Sequence, residues 1–176
     1  MDQADTPVVF LQNTTGYMVG TEYERAGMIK HGSKMIQAVT NIEVPKLTFM
    51  IGASFGAGNY GMCGRAFDPA FLYTWPNAQT GVMGGAQAGK VMSIVAEGAA
   101  RAAGQEPDWD QLAKQEAGLA KMFDDQASAF VTSGRSTDDG VIDPRDTRRA
   151  LGFLLATVWE GRNREVRPNS FGIARM

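Results

Sequence analysis

Strand-like and helix-like segments alternate along this chain, which predicts an α/β fold with largely parallel strand pairing. Two further observations support that class. The strand candidates are continuous apolar runs, Val8-Val9-Phe10-Leu11 and Leu47-Thr48-Phe49-Met50-Ile51, the pattern of buried strands. Glycines cluster at Gly52 to Gly64 and at Gly81 to Gly89, each time between a strand-like and a helix-like segment. That placement points to backbones that approach each other, or a ligand, closely.

The elements follow in order. Pro7 to Gln12 reads as a strand and Asn13 to Gly20 as a loop. Glu22 to Asn41 reads as one helix, with Met28, Ile29, Met35, Ile36 and Val39 on a common face. Val44 to Ile51 is the second strand, and the stretch Ser54 to Arg65 then forms a glycine loop and a short helix. Phe71 to Trp75 is a third strand, stopped by Pro76-Asn77, and Gln79 to Met83 a very short fourth. Gln87 to Ala103 reads as a helix closed by Gly104. Leu112, Leu119, Phe123 and Phe130 mark one face of a long helix. Gly140 to Asp143 is a short strand or turn, with Asp143 placed to cap the last helix and Pro144 at its first position. Ala150 to Trp159 is that helix's apolar part. Residues 161–176 read as a loose tail.

The 176 residues fit one domain with a sizeable core. An apolar content of 44% with 20% charged residues describes an ordinary globular protein. The formal charge of −2 argues against nucleic acid as a partner. No apolar run reaches the ~18 residues a membrane span needs. One cysteine, Cys63, and one histidine, His31, leave no internal disulfide and no structural zinc site.

Gly56-Ala57-Gly58-Asn59-Tyr60-Gly61 matches the dinucleotide fingerprint G-x-G-x-x-G in form. That reading needs an acid at the end of the next strand. Thr74-Trp75-Pro76-Asn77-Ala78 supplies none, so no nucleotide is expected. Gly84 to Lys90 has phosphate-loop spacing, but Val91 stands where a magnesium-binding hydroxyl belongs. Cys63 and His31 fall on different elements, so a buried, inert thiol is the simpler reading. Asp138, Asp139, Asp143 and Asp146 read as caps and turn residues. What remains is a strand running into a glycine-rich helix start. Unpaired N–H groups there suit an anion, or an oxygen that becomes anionic. No side-chain base and no metal cluster emerges.

Five blocks carry a family resemblance. They are Val9 to Gly20, Ile29 to Met35, Ser54 to Arg65, Trp75-Pro76-Asn77-Ala78 with Val82-Met83-Gly84-Gly85, and Asp138 to Arg148. In this order the chain resembles the C-terminal domain of carboxyltransferase (β) subunits of biotin-dependent acyl-CoA carboxylases. The likeness is greatest to methylcrotonyl-CoA and geranyl-CoA carboxylase. Ala86 departs from the pattern, since relatives with the Gly84-Gly85 motif often carry Glu there.

The resemblance implies a crotonase-like ββα spiral, with residues 1–176 as the biotin-side domain. It implies carboxyl transfer from carboxybiotin, delivered on a separate carrier, to a 2-unsaturated acyl-CoA. The backbone N–H groups of Ala57 and Gly58 are expected to form the oxyanion hole, and Phe55, Gly56, Asn59, Tyr60, Gly84 and Gly85 to contact the cofactor. Gly56 and Gly58 are expected to keep the backbone open to the biotin ring. Partners implied are an N-terminal carboxyltransferase domain of a neighbouring subunit, a biotin carboxylase and carrier α subunit, acyl-CoA and further copies in a homo-oligomer. The compartment implied is the bacterial cytoplasm, or the mitochondrial matrix in a eukaryote. The first strand begins almost at Met1, so an acyl-CoA-side domain is expected to be missing and the chain inactive alone. A crotonase-type hydratase or isomerase is the competing enzyme reading and needs a Glu or Asp beside Ala57. A non-catalytic oligomerisation module is the third.

Overall fold

The computed structural model describes residues 1–168 and 172. Three parallel pairings join four strands into one sheet around a long central strand. β1 (Val8–Thr14) lies on one side of β2 (Lys46–Phe55). On the other side, β3 (Phe71–Thr74) pairs with the first half of β2 and β4 (Gln79–Gly81) with its last three residues. The expected α/β class with parallel pairing is therefore present.

Side chains alternate across β2 and divide the core. Leu47 and Phe49 are fully buried against Leu154 of α7 (Thr147–Asn163), with Val9, Tyr73 and Leu151 packed around them. The rings of Phe49 and Tyr73 stack at 6.2 Å. Burying each such side chain contributes about 1.5–3 kcal/mol. The opposite face holds Thr48 and Met50, with Leu72 and Ala78 beside Met50. Thr48 Oγ1 donates to the Cys63 carbonyl at 2.7 Å.

β2 is longer than its apolar run suggests. Gln12 pairs with Met50, but Thr14 pairs with Ser54, so β2 bulges at Ile51-Gly52-Ala53. The Asn13 side chain fills the bulge and accepts the Ala53 N–H at 3.0 Å. A Cβ at Gly52 would stand 2.5 Å from Asn13 Oδ1, so a larger residue there would displace the Asn13 side chain from the bulge. The bulge re-aims the end of β2. Ser54 and Phe55, read above as loop, belong to the strand, and α3 (Gly56–Gly61) follows without a spacer.

Other boundaries also shift for identifiable reasons. The single helix expected over Glu22 to Asn41 is two, α1 (Thr21–Arg25) and α2 (Met28–Asn41). Gly27, at φ +91°, breaks it. The common face expected on α2 splits accordingly: Val39 is buried, while Ile29 is 76% exposed. α4 (Gly85–Ala102) starts before Gln87, and Gly104, at φ +73°, closes it as expected. The long helix ends early, as α5 (Trp109–Ala127), with Asp108 accepting the Gln111 N–H as its cap. Ser128 leaves helical geometry to bridge Gln79 of β4, and α6 (Ala129–Ser133) turns away. Phe130 is consequently exposed rather than on the α5 face.

Asp138 to Asp146 is a scaffold turn. The buried Asp138 carboxylate accepts from Thr74 Oγ1 (2.6 Å), Ser133 Oγ (2.7 Å) and the Gly140 N–H (3.0 Å). Asp139 accepts the Leu72 N–H at 2.7 Å and pairs with Arg65 at 3.0 Å. Asp143 caps the 3-10 turn Pro144–Asp146 that leads into α7. The tail read at 161–176 begins inside α7, and its residues 169–171 and 173–176 lie outside the described residues.

Candidate active site

The end of β2 and the start of α3 sit over a cavity of about 720 Å³. Gly56, Ala57, Asn59 and Tyr60 form one wall. Val82 and Met83, just after β4, and Phe123 of α5 supply apolar surface. Arg65, Gln126, Arg135 and Thr137 give the polar part, and no Asp or Glu lines it. A smaller, mostly apolar groove of about 340 Å³ lies on the other side of Ala57, bounded by Tyr17, Met28, Ile29, Ile36 and Glu24. Ala57 is thus the residue shared by both concavities.

Ala57 and Gly58 are the second and third residues of α3. Helical geometry gives N–H groups at these positions no intrahelical acceptor. No side chain caps this helix, and neither amide donates to a loop carbonyl among the described residues. Ala57 is exposed, whereas Gly58 is buried.

A buried polar network holds this turn. Gln12, at 0% exposure, donates through Nε2 to the carbonyls of Asn59 (3.1 Å) and Met62 (2.8 Å). Its Oε1 accepts from Ser54 Oγ at 2.6 Å, and Asn59 Nδ2 donates to the same Ser54 oxygen at 2.8 Å. Thr80 Oγ1 donates to the Ser54 carbonyl at 2.7 Å, tying β4 to the end of β2. Fully satisfied networks of this kind fix a single local geometry.

Each residue expected at the site can now be placed. Gly56 has φ +53°, a left-handed conformation that favours glycine. A Cβ at Gly58 would lie 2.9 Å from Gly16 Cα and from Thr14, so its missing side chain makes room for the end of β1 and the loop after it. Asn59 faces the cavity but spends its amide on Ser54. Tyr60 is 47% exposed, with its ring 5.3 Å from that of Phe67. Phe55 is buried beneath the turn, beside Gly81. Neither Gly84 nor Gly85 lines the cavity. The Gly85 N–H already donates to Asp124 Oδ1 at 3.0 Å, and Gly89 lies where a Cβ would meet the Glu116 carbonyl at 2.6 Å. These glycines let α4 approach α5.

Cys63 is buried, and desolvation pushes its thiol pKa up, as fits an inert residue. His31 is exposed on α2. Lys90 is a solvated helix residue beside Glu116. Trp75 is half-buried and donates Nε1–H to Thr147 Oγ1 at 2.9 Å. Among the described residues no group of three or more His, Cys, Asp or Glu could hold a metal ion, and no helix is long and apolar enough to cross a membrane. Sequence reading passed over Glu24, Arg65, Arg135 and the Gln12–Ser54–Asn59 network. The acid that the hydratase or isomerase reading needs beside Ala57 has one candidate, because Glu24 borders the smaller groove. For Gln12 a signal existed: a polar residue closing an apolar run.

The chain as a whole is similar to known proteins. Residues 1–171 match the carboxyl transferase domain. The chain is 53% identical over 175 residues to the probable biotin-dependent acyl-coenzyme A carboxylase beta2 subunit of Mycobacterium tuberculosis, a match covering 99% of this chain and 33% of that protein. Identity to the probable mitochondrial methylcrotonoyl-CoA carboxylase beta chain of Drosophila melanogaster is 45% over 174 residues, covering 99% and 30%. Among solved structures, the beta subunit of P. aeruginosa geranyl-CoA carboxylase superimposes with a TM-score of 0.90 at 53% identity, covering 99% of this chain and 33% of that one. Transcarboxylase 12S follows with a TM-score of 0.75 at 29% identity, covering 97% and 31%. The chain spans about a third of the length of these relatives. The crotonase-like fold expected from the resemblance is the fold of these neighbours. With nearly its whole length matched, the chain belongs to the carboxyl transferase domain family.

Proposed function

We propose that this chain supplies the biotin-side half of a carboxyltransferase site, serving a biotin-dependent acyl-CoA carboxylase that acts on a 2-unsaturated acyl-CoA. The observation that carries this reading is the uncapped first turn of α3, presented at a cavity without carboxylates. A cavity of about 720 Å³ falls within the size range of small-molecule sites, and its walls are largely apolar, as a bicyclic ring requires.

Carboxybiotin, when bound, supplies the carboxyl group and a ring nitrogen able to accept the α-proton of the acyl group. The chain's part is electrostatic. The N–H groups of Ala57 and Gly58 hold the ureido oxygen as negative charge gathers on it, and a fixed donor of this kind contributes about 10²–10³ in rate. The Gln12–Ser54–Asn59 network keeps those donors in place without reorganisation. Asn59 and Tyr60, which line the cavity, would flank the ring.

The partners belong to the same proposal. Val82 on the rim of the larger cavity and Val19 and Ile29 on that of the smaller groove are each 76% exposed. An apolar rim around a polar turn suits coverage by another domain. We assign that role to the acyl-CoA-side domain of a neighbouring subunit in a homo-oligomer, with carboxybiotin arriving on a separate carrier. The transcarboxylase 12S relative is described as a hexamer.

Glu24 favours one competitor, a crotonase-type hydratase or isomerase using that carboxylate. One experiment separates the two. The chain is joined to a matched acyl-CoA-side domain, supplied with a biotinylated carrier, and assayed with 3-methylcrotonyl-CoA and geranyl-CoA. Biotin-dependent carboxylation that survives Glu24→Gln is expected. Hydration or isomerisation without biotin, abolished by Glu24→Gln, would replace the proposal.

A further inference from the structure

The carboxyltransferase reading leaves one cavity residue unused. Arg135 lies on the turn after α6 and lines the same 720 Å³ cavity as Ala57. Its surroundings are built with care. The Arg135 N–H donates to the Thr132 carbonyl at 3.0 Å, and Thr137 Oγ1 donates to the same carbonyl at 2.8 Å. Ser136, between them, holds φ +60°, a left-handed conformation that costs a non-glycine residue free energy. These contacts fix the backbone of the turn that places Arg135 at the cavity wall.

The charge there is uncompensated. The two carboxylates that follow in sequence are both engaged elsewhere. Asp138 is buried and saturated by Thr74, Ser133 and Gly140, and Asp139 is paired with Arg65. Arg65, the other cavity cation, is therefore neutralised. Arg135 enters no ion pair among the described residues, and the cavity wall carries no acid. Arg135 lines a partly apolar cavity whose wall has no acidic side chain, and a planar guanidinium matches a carboxylate in geometry and sign.

We propose that Arg135 grips the carboxylate in transit, so that the cavity favours the carboxylated reactant over the uncarboxylated one. This rests on the carboxyltransferase reading above and adds a specificity-determining residue to it. The phosphates of CoA share the same anionic chemistry, and the test distinguishes them.

Arg135→Gln and Arg135→Lys are placed in a complete carboxyltransferase subunit built around this sequence and assembled with its biotin-bearing partner. KM is measured for the uncarboxylated acyl-CoA in the forward direction and for its carboxylated product in reverse. The two differ by one carboxylate and share every phosphate. Arg135→Gln is expected to raise the KM of the carboxylated thioester by about tenfold to a hundredfold, as loss of a charged hydrogen bond does, and to leave the other within about twofold. Arg135→Lys is expected to recover part of the loss. An equal rise in both constants would give Arg135 to the CoA phosphates and overturn the proposal, as would no change in either. If Arg135→Gln is silent while removal of the Ala57 N–H still slows transfer, only this inference fails. If neither change matters, the carboxyltransferase reading fails with it.

Discussion

Two glycine-rich turns of this molecule look alike in sequence and do opposite things. Gly56-Ala57-Gly58 opens α3, and Gly84-Gly85-Ala86 opens α4. At α4 the first-turn N–H of Gly85 is consumed by Asp124, and Gly85 and Gly89 are small so that α4 can lie against α5. At α3 no side chain caps the turn, and Ala57 faces open space on two sides. One turn is closed by its neighbours and the other is left open. A glycine before a helix therefore signals close approach, and the partner that approaches decides whether the approach is packing or binding. Gly58 shows both meanings in one residue, since its missing side chain accommodates β1 while its amide belongs to the open turn.

The contrast can be broken from beneath. Ser54→Ala removes the hydroxyl that joins Gln12 to Asn59 and leaves the buried Gln12 Oε1 without its donor. Leaving such a group unsatisfied costs about 1–3 kcal/mol. Denaturant unfolding should show that loss, and carboxyl transfer in the complete subunit should fall with it as the α3 donors lose their fixed position. A stable variant with unchanged transfer would mean that the turn keeps its geometry without the network.

A smaller effect marks the scaffold side. Asp143, held by the Arg145 side chain and backbone N–H, titrates down at about 2. Its folded pKa lies below the unfolded value, so its contribution is present above about pH 4 and is lost as pH falls through about 2. Arg145→Ala should return Asp143 toward the ordinary carboxylate range and flatten that part of the stability profile. Carboxyl NMR titration of both proteins checks it, and carbonyl signals that titrate alike would refute the pairing. Because this pair is solvent-exposed, carboxyl transfer at neutral pH should not respond.

Much of this arrangement was legible in the residues. Parallel α/β pairing followed from apolar runs such as Leu47 to Ile51. The closure at Gly104 followed from local backbone chemistry, as did a cap at Asp143-Pro144, although it caps the 3-10 turn before α7 rather than α7 itself. What escaped was tertiary. Gly27 inside a helical pattern, and Ser128 pulled out of one by Gln79, broke helices that periodicity alone would continue. Gly84 and Gly85 sat in a motif that the resemblance attached to the cofactor, yet Gly85 meets α5 and neither lines the cavity. Arg135 carried no motif at all. Its place at the cavity depends on a turn after α6 and on carboxylates already engaged.

The most direct test swaps single backbone N–H groups for ester oxygens in the complete subunit, lactate at Ala57 and glycolate at Gly85. The Ala57 ester should fold with near-native stability and lose about 10²–10³ in carboxyl transfer. The Gly85 ester should lose about 1–2 kcal/mol of stability, as expected when Asp124 is left without its donor, and retain transfer within a few-fold. Unchanged transfer in the Ala57 ester would contradict the claim that the open turn of α3 is where negative charge is held.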